Sequence, residues 1–158
     1  MLESNMSTQN LAETYYQYKD LLYRIAFTYV KNKADAEDIL QETFLKYYYK
    51  EPVFENKEHE KRWLIRVTIN LCKNHLLSFW YRNRCEMSDR FYMDFNDDEM
   101  LLLQEIMKLP TKQRGIIFLH YYEGYSCKEI AEIIGIGESA VKMRLKKGRE
   151  LLRESMEV

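Results

Sequence analysis

Glycine and proline are scarce in this sequence: 5 and 2 among 158 residues. An all-β chain needs far more turn residues, so the scarcity disfavours one and favours helices. Cysteine is also sparse. Cys72, Cys85 and Cys127 are scattered and odd in number, which fits free thiols in a reducing cytoplasm. Cys72 and His75 have ligand-like spacing, but no second pair completes four ligands, so no metal site is expected. An excess of one charge is missing too. The net charge is −1, so the total says nothing about partners. No apolar run is long enough to cross a bilayer. The opening MLESNMSTQN has no positive charge before an apolar run, so no signal peptide is expected there. Marks of catalysis are lacking: there is no Gly-rich phosphate loop, no nucleophile–base pattern and no paired metal ligands. His59, His75 and His120 lie far apart in sequence. No cofactor and no catalytic residue is assigned, and an enzyme is the weakest reading of this sequence.

What is present is apolar surface and patterned charge. Apolar residues make up 46% of the chain, enough for a packed core in one ordinary domain or two small helical ones. From Lys61 to Cys85 there are six basic residues and no acidic one. From Glu86 to Glu105 there are seven acidic residues and one basic, Arg90. From Lys142 to Arg149 there are five basic residues and no acidic one. Two basic segments flanking an acidic one suggest two surfaces for a polyanion and a connector that avoids it.

The helical periodicity is plain. In LLYRIAFTYV, Leu22, Ile25, Ala26 and Tyr29 mark a core-facing helix within residues 11–31. In KADAEDILQETFLKYYY, one stripe carries Ala36, Ile39, Leu40, Thr43, Phe44 and Tyr47, while Asp38, Gln41, Glu42, Leu45 and Tyr49 fall on another face. Pro52 ends that region. A third helix is predicted over about 58–82, with Leu64, Val67, Thr68, Leu71, Cys72, His75 and Phe79 buried. Its adjacent face holds Trp63, Arg66, Asn70, Lys73 and Asn74. RNRCEMSDRFYMDFNDDE breaks the pattern and reads as an acidic linker. MLLLQEIMKL is a helix stopping near Pro110, and TKQRGIIFLHYYEGY another, closed by Gly124. The expected fold is all-α: a tail at 1–10, a helical domain at 11–85, a linker at 86–99 and a helical domain at 100–158.

The second domain contains SCKEIAEIIGIGESAVKMRLKKGRELL. Ser126 to Glu129 is S-x-x-E before an apolar run, the capping-box pattern of a helix start. Ile130, Ala131, Ile133 and Ile134 supply a buried side. Gly135-Ile136-Gly137 forms the turn, with Gly135 able to adopt a left-handed conformation. Ala131 is small where helices cross, and Ile136 and Val141 can fill the space between them. This is helix-turn-helix spacing. The second helix, from about Glu138, projects Lys142, Arg144, Lys146, Lys147 and Arg149. Its early side chains suit base edges in a major groove and its later ones phosphate. The plain alternative is a helical hairpin with a solvated basic face. In the first domain, an aromatic, amide-rich and basic face suits exposed bases: rings stack, amides read edges and cations follow the backbone. A solvated surface with one half-buried Trp is the competing reading.

DAEDILQETFLKYYY, WLIRVTINLCKNHL, the LP pair and the helix-turn-helix, in that order, resemble the extracytoplasmic-function subfamily of bacterial sigma factors over about residues 11–155. The resemblance implies a region 2 domain at 11–85 and a region 4 domain at 100–158. It implies that Asp38, Gln41 and Glu42 dock on the clamp helices of the largest subunit of core RNA polymerase, with a further contact to the flap of the second subunit. It implies that Trp63, Arg66, Asn70, Lys73 and Asn74 engage the single-stranded −10 element. The following loop, about Tyr81 to Arg84 and including Arg82 and Arg84, would hold the specificity pocket. Glu138, Ser139, Lys142, Met143, Arg144, Lys146, Lys147 and Arg149 would face the −35 element. Met143 stands where the family often has Ser, Ala140 where it often has Thr, and KKGRELL replaces the usual Arg-Ala-Arg run. An anti-sigma factor, often membrane-anchored in this family, is a further implied partner, and Tyr47, Tyr48, Phe91 and Tyr92 suit such a contact as well as core packing. A plain duplex-binding regulator would need neither the aromatic-amide face nor the D-x-x-Q-E surface.

Overall fold

A computed structural model describes the backbone of residues 2–82 and 97–157 and the side chains of 10–78 and 101–157. The described residues form seven helices and no strand. They group into two compact units, Met1–Glu86 and Met87–Val158.

The first unit holds α1 (Leu2–Val30), α2 (Lys33–Lys50) and α3 (Lys57–Arg82). The helix α1 starts at Leu2, so the residues expected as a tail extend it: no Gly or Pro interrupts the pattern there. Leu22, Ile25, Ala26, Phe27, Tyr29 and Val30 of α1 and Ala36, Ile39, Leu40 and Phe44 of α2 are buried, and the two helices pack on each other. Each such large side chain contributes about 1.5–3 kcal/mol by leaving water. Asn32 starts α2 by accepting a hydrogen bond from the Asp35 amide at 2.9 Å. No glycine ends it; Glu51 takes the left-handed conformation, φ 43°, and donates its amide to the Tyr47 carbonyl.

Helix α3 packs on both α1 and α2, so it is buried on a wider arc than one stripe. Ile65 and Ile69 are buried beside the expected Leu64, Thr68, Leu71 and Cys72, whereas Val67 is only half-buried. The expected burial of His75 is corrected: its Nε2 lies 3.1 Å from Asp35 Oδ2 and both side chains reach solvent. Phe79 lies outside the described side chains. At the α2–α3 crossing the buried hydroxyls of Thr43 and Thr68 are 3.2 Å apart, and each also reaches the carbonyl four residues back.

The second unit holds α4 (Asp97–Met107), α5 (Thr111–Tyr121), α6 (Cys127–Ile134) and α7 (Glu138–Met156). Helix α4 takes up residues 97–99 of the expected linker; residues 83–96 lie outside the described ones. Pro110 ends the α4 region, and Arg114 beside it is 3% exposed. Its Nη1 donates to the Leu109 carbonyl at 2.9 Å and the Met107 carbonyl at 3.5 Å, and Nη2 donates to Thr111 Oγ1 at 3.3 Å. A buried guanidinium thus satisfies the carbonyls that a helix end leaves open. Gly124, φ 74°, turns the chain toward α6, and the His120 Nδ1 lies 2.8 Å from the Tyr125 carbonyl across that turn.

Candidate nucleic-acid interface

The helix-turn-helix forms as its sequence pattern predicts. Ser126 Oγ accepts from the Glu129 amide at 3.1 Å, and Glu129 Oε1 accepts from the Ser126 amide at 3.0 Å. The box fixes the start of α6 by pairing amides that a helix start leaves open. Gly135 caps α6 at φ 83°, ψ 37°, and α7 begins at Glu138. Ile130, Ala131, Ile133 and Ile134 are buried against the second unit's core, as are Val141, Leu145 and Gly148 of α7. With one side of α7 so occupied, the other is turned out.

That outer side carries the predicted residues. Glu138, Ser139, Lys142, Met143, Lys146, Lys147 and Arg149 are exposed, and Arg144 is half-buried. Met143 is 73% exposed, so it is not a core residue of the unit. Glu138 Oε1 holds the Lys142 ammonium at 3.4 Å, and Arg149 Nη1 donates to the Tyr121 hydroxyl at 3.4 Å. Tyr121, the last residue of α5, is a neighbour of this face that the sequence pattern does not indicate. A run of cations beside one apolar tip can hold phosphate and touch a groove floor.

On α3, Arg66, Asn70 and Asn74 are exposed, and Trp63 and Lys73 half-buried, along one face opposite Leu64, Thr68, Leu71 and Cys72. The Trp63 ring is held edge-on by Tyr47 and Phe54, with centroids at 6.1 and 5.8 Å. Tyr47 is expected from the sequence in the α2 stripe or in an anti-sigma contact and Phe54 in neither, because both meet Trp63 from outside its helix. Burial pushes the Tyr47 hydroxyl above the usual tyrosine range. Arg82 ends α3, but its side chain, and Arg84 entirely, lie outside the described residues, as do Phe91 and Tyr92.

On α2, Asp38, Gln41 and Glu42 are exposed on the face away from Ile39 and Thr43. Gln41 borders a shallow groove lined also by Leu11, Tyr15, Leu45, Tyr48 and Tyr49. Three surfaces are therefore presented: one polar and acidic, one aromatic and amide-bearing, one basic. Among the described residues no group of acidic, His and Cys side chains could hold a metal ion, and no helix is long and apolar enough to cross a membrane.

The sequence profile of Sigma-70 region 2 matches residues 14–80, and that of Sigma-70, region 4 matches residues 99–152. The ECF RNA polymerase sigma factor SigX of Bacillus subtilis is 30% identical, over 95% of this chain and 84% of that protein. The chain belongs to the extracytoplasmic-function sigma factors. The sigma factor SigW of the same organism is 30% identical over 88% of this chain and 84% of its own length. Two solved structures share the fold at 20% identity. One is the sigma factor RpoE of Bartonella quintana, in complex with the anti-sigma factor NepR, with a TM-score of 0.78 over 95% of this chain and 98% of that one. The other is CnrH in complex with the cytosolic domain of CnrY, with a TM-score of 0.68 over 95% and 89%. This sigma factor directs RNA polymerase to promoters, and its two matched regions are all-helical, the second with a helix-turn-helix.

Proposed function

We propose that this sigma factor divides its work among the three surfaces. Asp38, Gln41 and Glu42 dock on the clamp helices of the largest polymerase subunit, and the region 4 domain meets the flap of the second. Charged and amide groups suit a surface that must also release later. Trp63, Arg66, Asn70, Lys73 and Asn74 capture unpaired bases of the −10 element, with Arg82 and Arg84 continuing the path. Glu138, Ser139, Lys142, Met143, Arg144, Lys146, Lys147 and Arg149 face the −35 element. The domains are region 2 at 11–85 and region 4 at 100–158, joined by the acidic stretch at 86–99. The single observation that carries the reading is the joint exposure of Arg66, Asn70 and Asn74 beside a half-buried Trp63.

Neither basic patch is large, so free factor binds promoter DNA weakly. Polymerase holds the two domains at a set separation, and two weak contacts become one strong one through effective concentration. Phosphate contacts set register and base contacts set specificity. Strand opening costs stacking and pairing energy, and capture of an unpaired base offsets part of it. This chain makes and breaks no bond; the polymerase does the chemistry, in the cytoplasm. An anti-sigma factor masks the polymerase-binding and DNA-binding faces, a reading supported by the anti-sigma complex of RpoE.

Three substitutions separate the roles. Asp38→Arg weakens core binding at least about tenfold through like-charge and desolvation cost. Trp63→Ala leaves core binding unchanged and slows promoter opening. The pair Lys146→Glu and Lys147→Glu weakens duplex binding for all sequences and flattens its salt dependence. Loss of core binding from the α7 pair, with Asp38→Arg silent, overturns the assignment.

A further inference from the structure

At the head of α3 sits a buried carboxylate that nothing above uses. Glu60 is 8% exposed. A buried carboxylate is costly unless paired, and replacement by an apolar residue of similar size is often neutral or stabilising. Here the compensation is partial. Oε2 accepts from the Tyr47 hydroxyl at 3.0 Å. Oε1 makes no hydrogen bond; the solvent-exposed Lys57 ammonium lies 3.8 Å from it, and the Tyr18 hydroxyl is close enough for the carboxylate to help hold its proton. The first turn of α3 supplies some favourable dipole.

What this carboxylate fixes is a ring. The Tyr47 hydroxyl sits between Glu60 and the Thr14 hydroxyl, 3.5 Å away. The Tyr47 ring meets Trp63 edge-on, at 6.1 Å and 71°, and stacks on Phe54 at 6.2 Å and 22°. Phe54 also meets Trp63 at 5.8 Å and 64°, and His59 closes on Phe54 at 5.2 Å and 83°. Edge-to-face contacts depend on ring orientation. The rings come from α2, from the connection at 51–56 and from α3, so their mutual angles depend on contacts across elements.

We infer that Glu60 is a positioning residue for promoter opening: its hydrogen bond to Tyr47 locks that ring, and through it the Trp63 ring, in the orientation on which an unpaired −10 base stacks. The inference rests on the proposed role of Trp63. Small misplacements of a capturing group are expensive, since its benefit lies in prior orientation. Glu60 touches no DNA in this scheme; it acts through Tyr47.

The test uses full-length factor with core polymerase on a promoter mapped by transcription. Closed-complex affinity is read in the cold. Opening rate is read by permanganate reactivity of unpaired thymines. The orientation of Trp63 is read by fluorescence anisotropy in a Trp80→Phe background. Glu60→Leu and Tyr47→Phe each slow opening by about tenfold, equal to about 1.4 kcal/mol in the barrier. Both leave closed-complex affinity unchanged and lower the Trp63 anisotropy. Glu60→Gln keeps an acceptor oxygen and stays within about threefold of the parent. Glu60→Leu removes a buried charge, so a merely structural role leaves its opening rate unchanged or raised. Parental opening rates and anisotropy in both Glu60→Leu and Tyr47→Phe overturn the inference. If instead Trp63→Ala itself opens at the parental rate, the stacking role of Trp63 fails first, and this inference with it.

Discussion

At Gly148 the backbone of α7 runs so close to α5 that a Cβ there would stand 2.8 Å from Ile117 Cγ1 and 3.0 Å from its Cδ1. Gly148→Ala would gain about 1 kcal/mol of helix propensity. It would lose about 1–3 kcal/mol to overpacking, because Ile117 is fully buried and has little room to retreat. The clash wins, and the second unit loses about 1 kcal/mol, read as a melting temperature lower by roughly 4–8 °C for a domain of this size. Adding Ile117→Val recovers part of the loss in the same thermal scan.

Arg114→Met keeps an apolar stem but strips the carbonyls of Met107 and Leu109 of their side-chain donor. Unsatisfied buried acceptors cost about 1–3 kcal/mol each, so a loss of about 2 kcal/mol in urea unfolding is expected. Arg114→Lys recovers only part of it, since an ammonium cannot reproduce the planar fork that reaches both carbonyls and Thr111.

Ser126→Ala removes one half of the capping box and costs about 1 kcal/mol. Glu129→Ala removes the other half. The two losses are less than additive in a double-mutant cycle, because the bonds hold the same turn. Duplex affinity falls in step with the fraction folded and is restored by conditions that stabilise α6.

Burial pushes the Cys72 thiol well above its usual range. The folded state therefore keeps a proton that the unfolded chain releases near pH 8.5. Bound protons are fewer in the unfolded state above that pH, so stability is full below it and declines as pH rises toward the folded value. Tyr18, Tyr23 and Tyr47 are also raised, mainly by burial, but their unfolded forms titrate only from about pH 10. Between pH 8.5 and 10 the decline belongs to Cys72, and Cys72→Ala flattens it in chemical denaturation.

Local patterns were legible in the sequence; contacts between elements were not. Ser126, Glu129, Gly135 and Pro110 carry their meaning within a few residues, and each ends or starts a helix as its chemistry requires. The α2 stripe is buried as its period predicts from Ala36 to Phe44. Ile65 and Ile69 escaped because a single-stripe reading assumes one neighbour, whereas α3 has two. His75 fell on the right period but near the end of the packed region, where Asp35 draws it to the surface. Arg114 carries no warning in its own neighbourhood, because its partners are backbone carbonyls. Gly148 carries no signal in its own stretch, since its need for closeness lies in Ile117, thirty-one positions away. Of the candidate site, the faces of α2, α3 and α7 were legible as faces; the ring arrangement behind Trp63 was not.

The most direct test is transcription in vitro. Purified full-length factor is mixed with sigma-free core polymerase and fragmented DNA from its source organism, and transcript starts are mapped. Discrete starts that share two upstream elements, lost with Asp38→Arg and with Trp63→Ala, are the expected result. An absence of starts, while the full chain still binds duplex DNA, would contradict the assignment of the three surfaces.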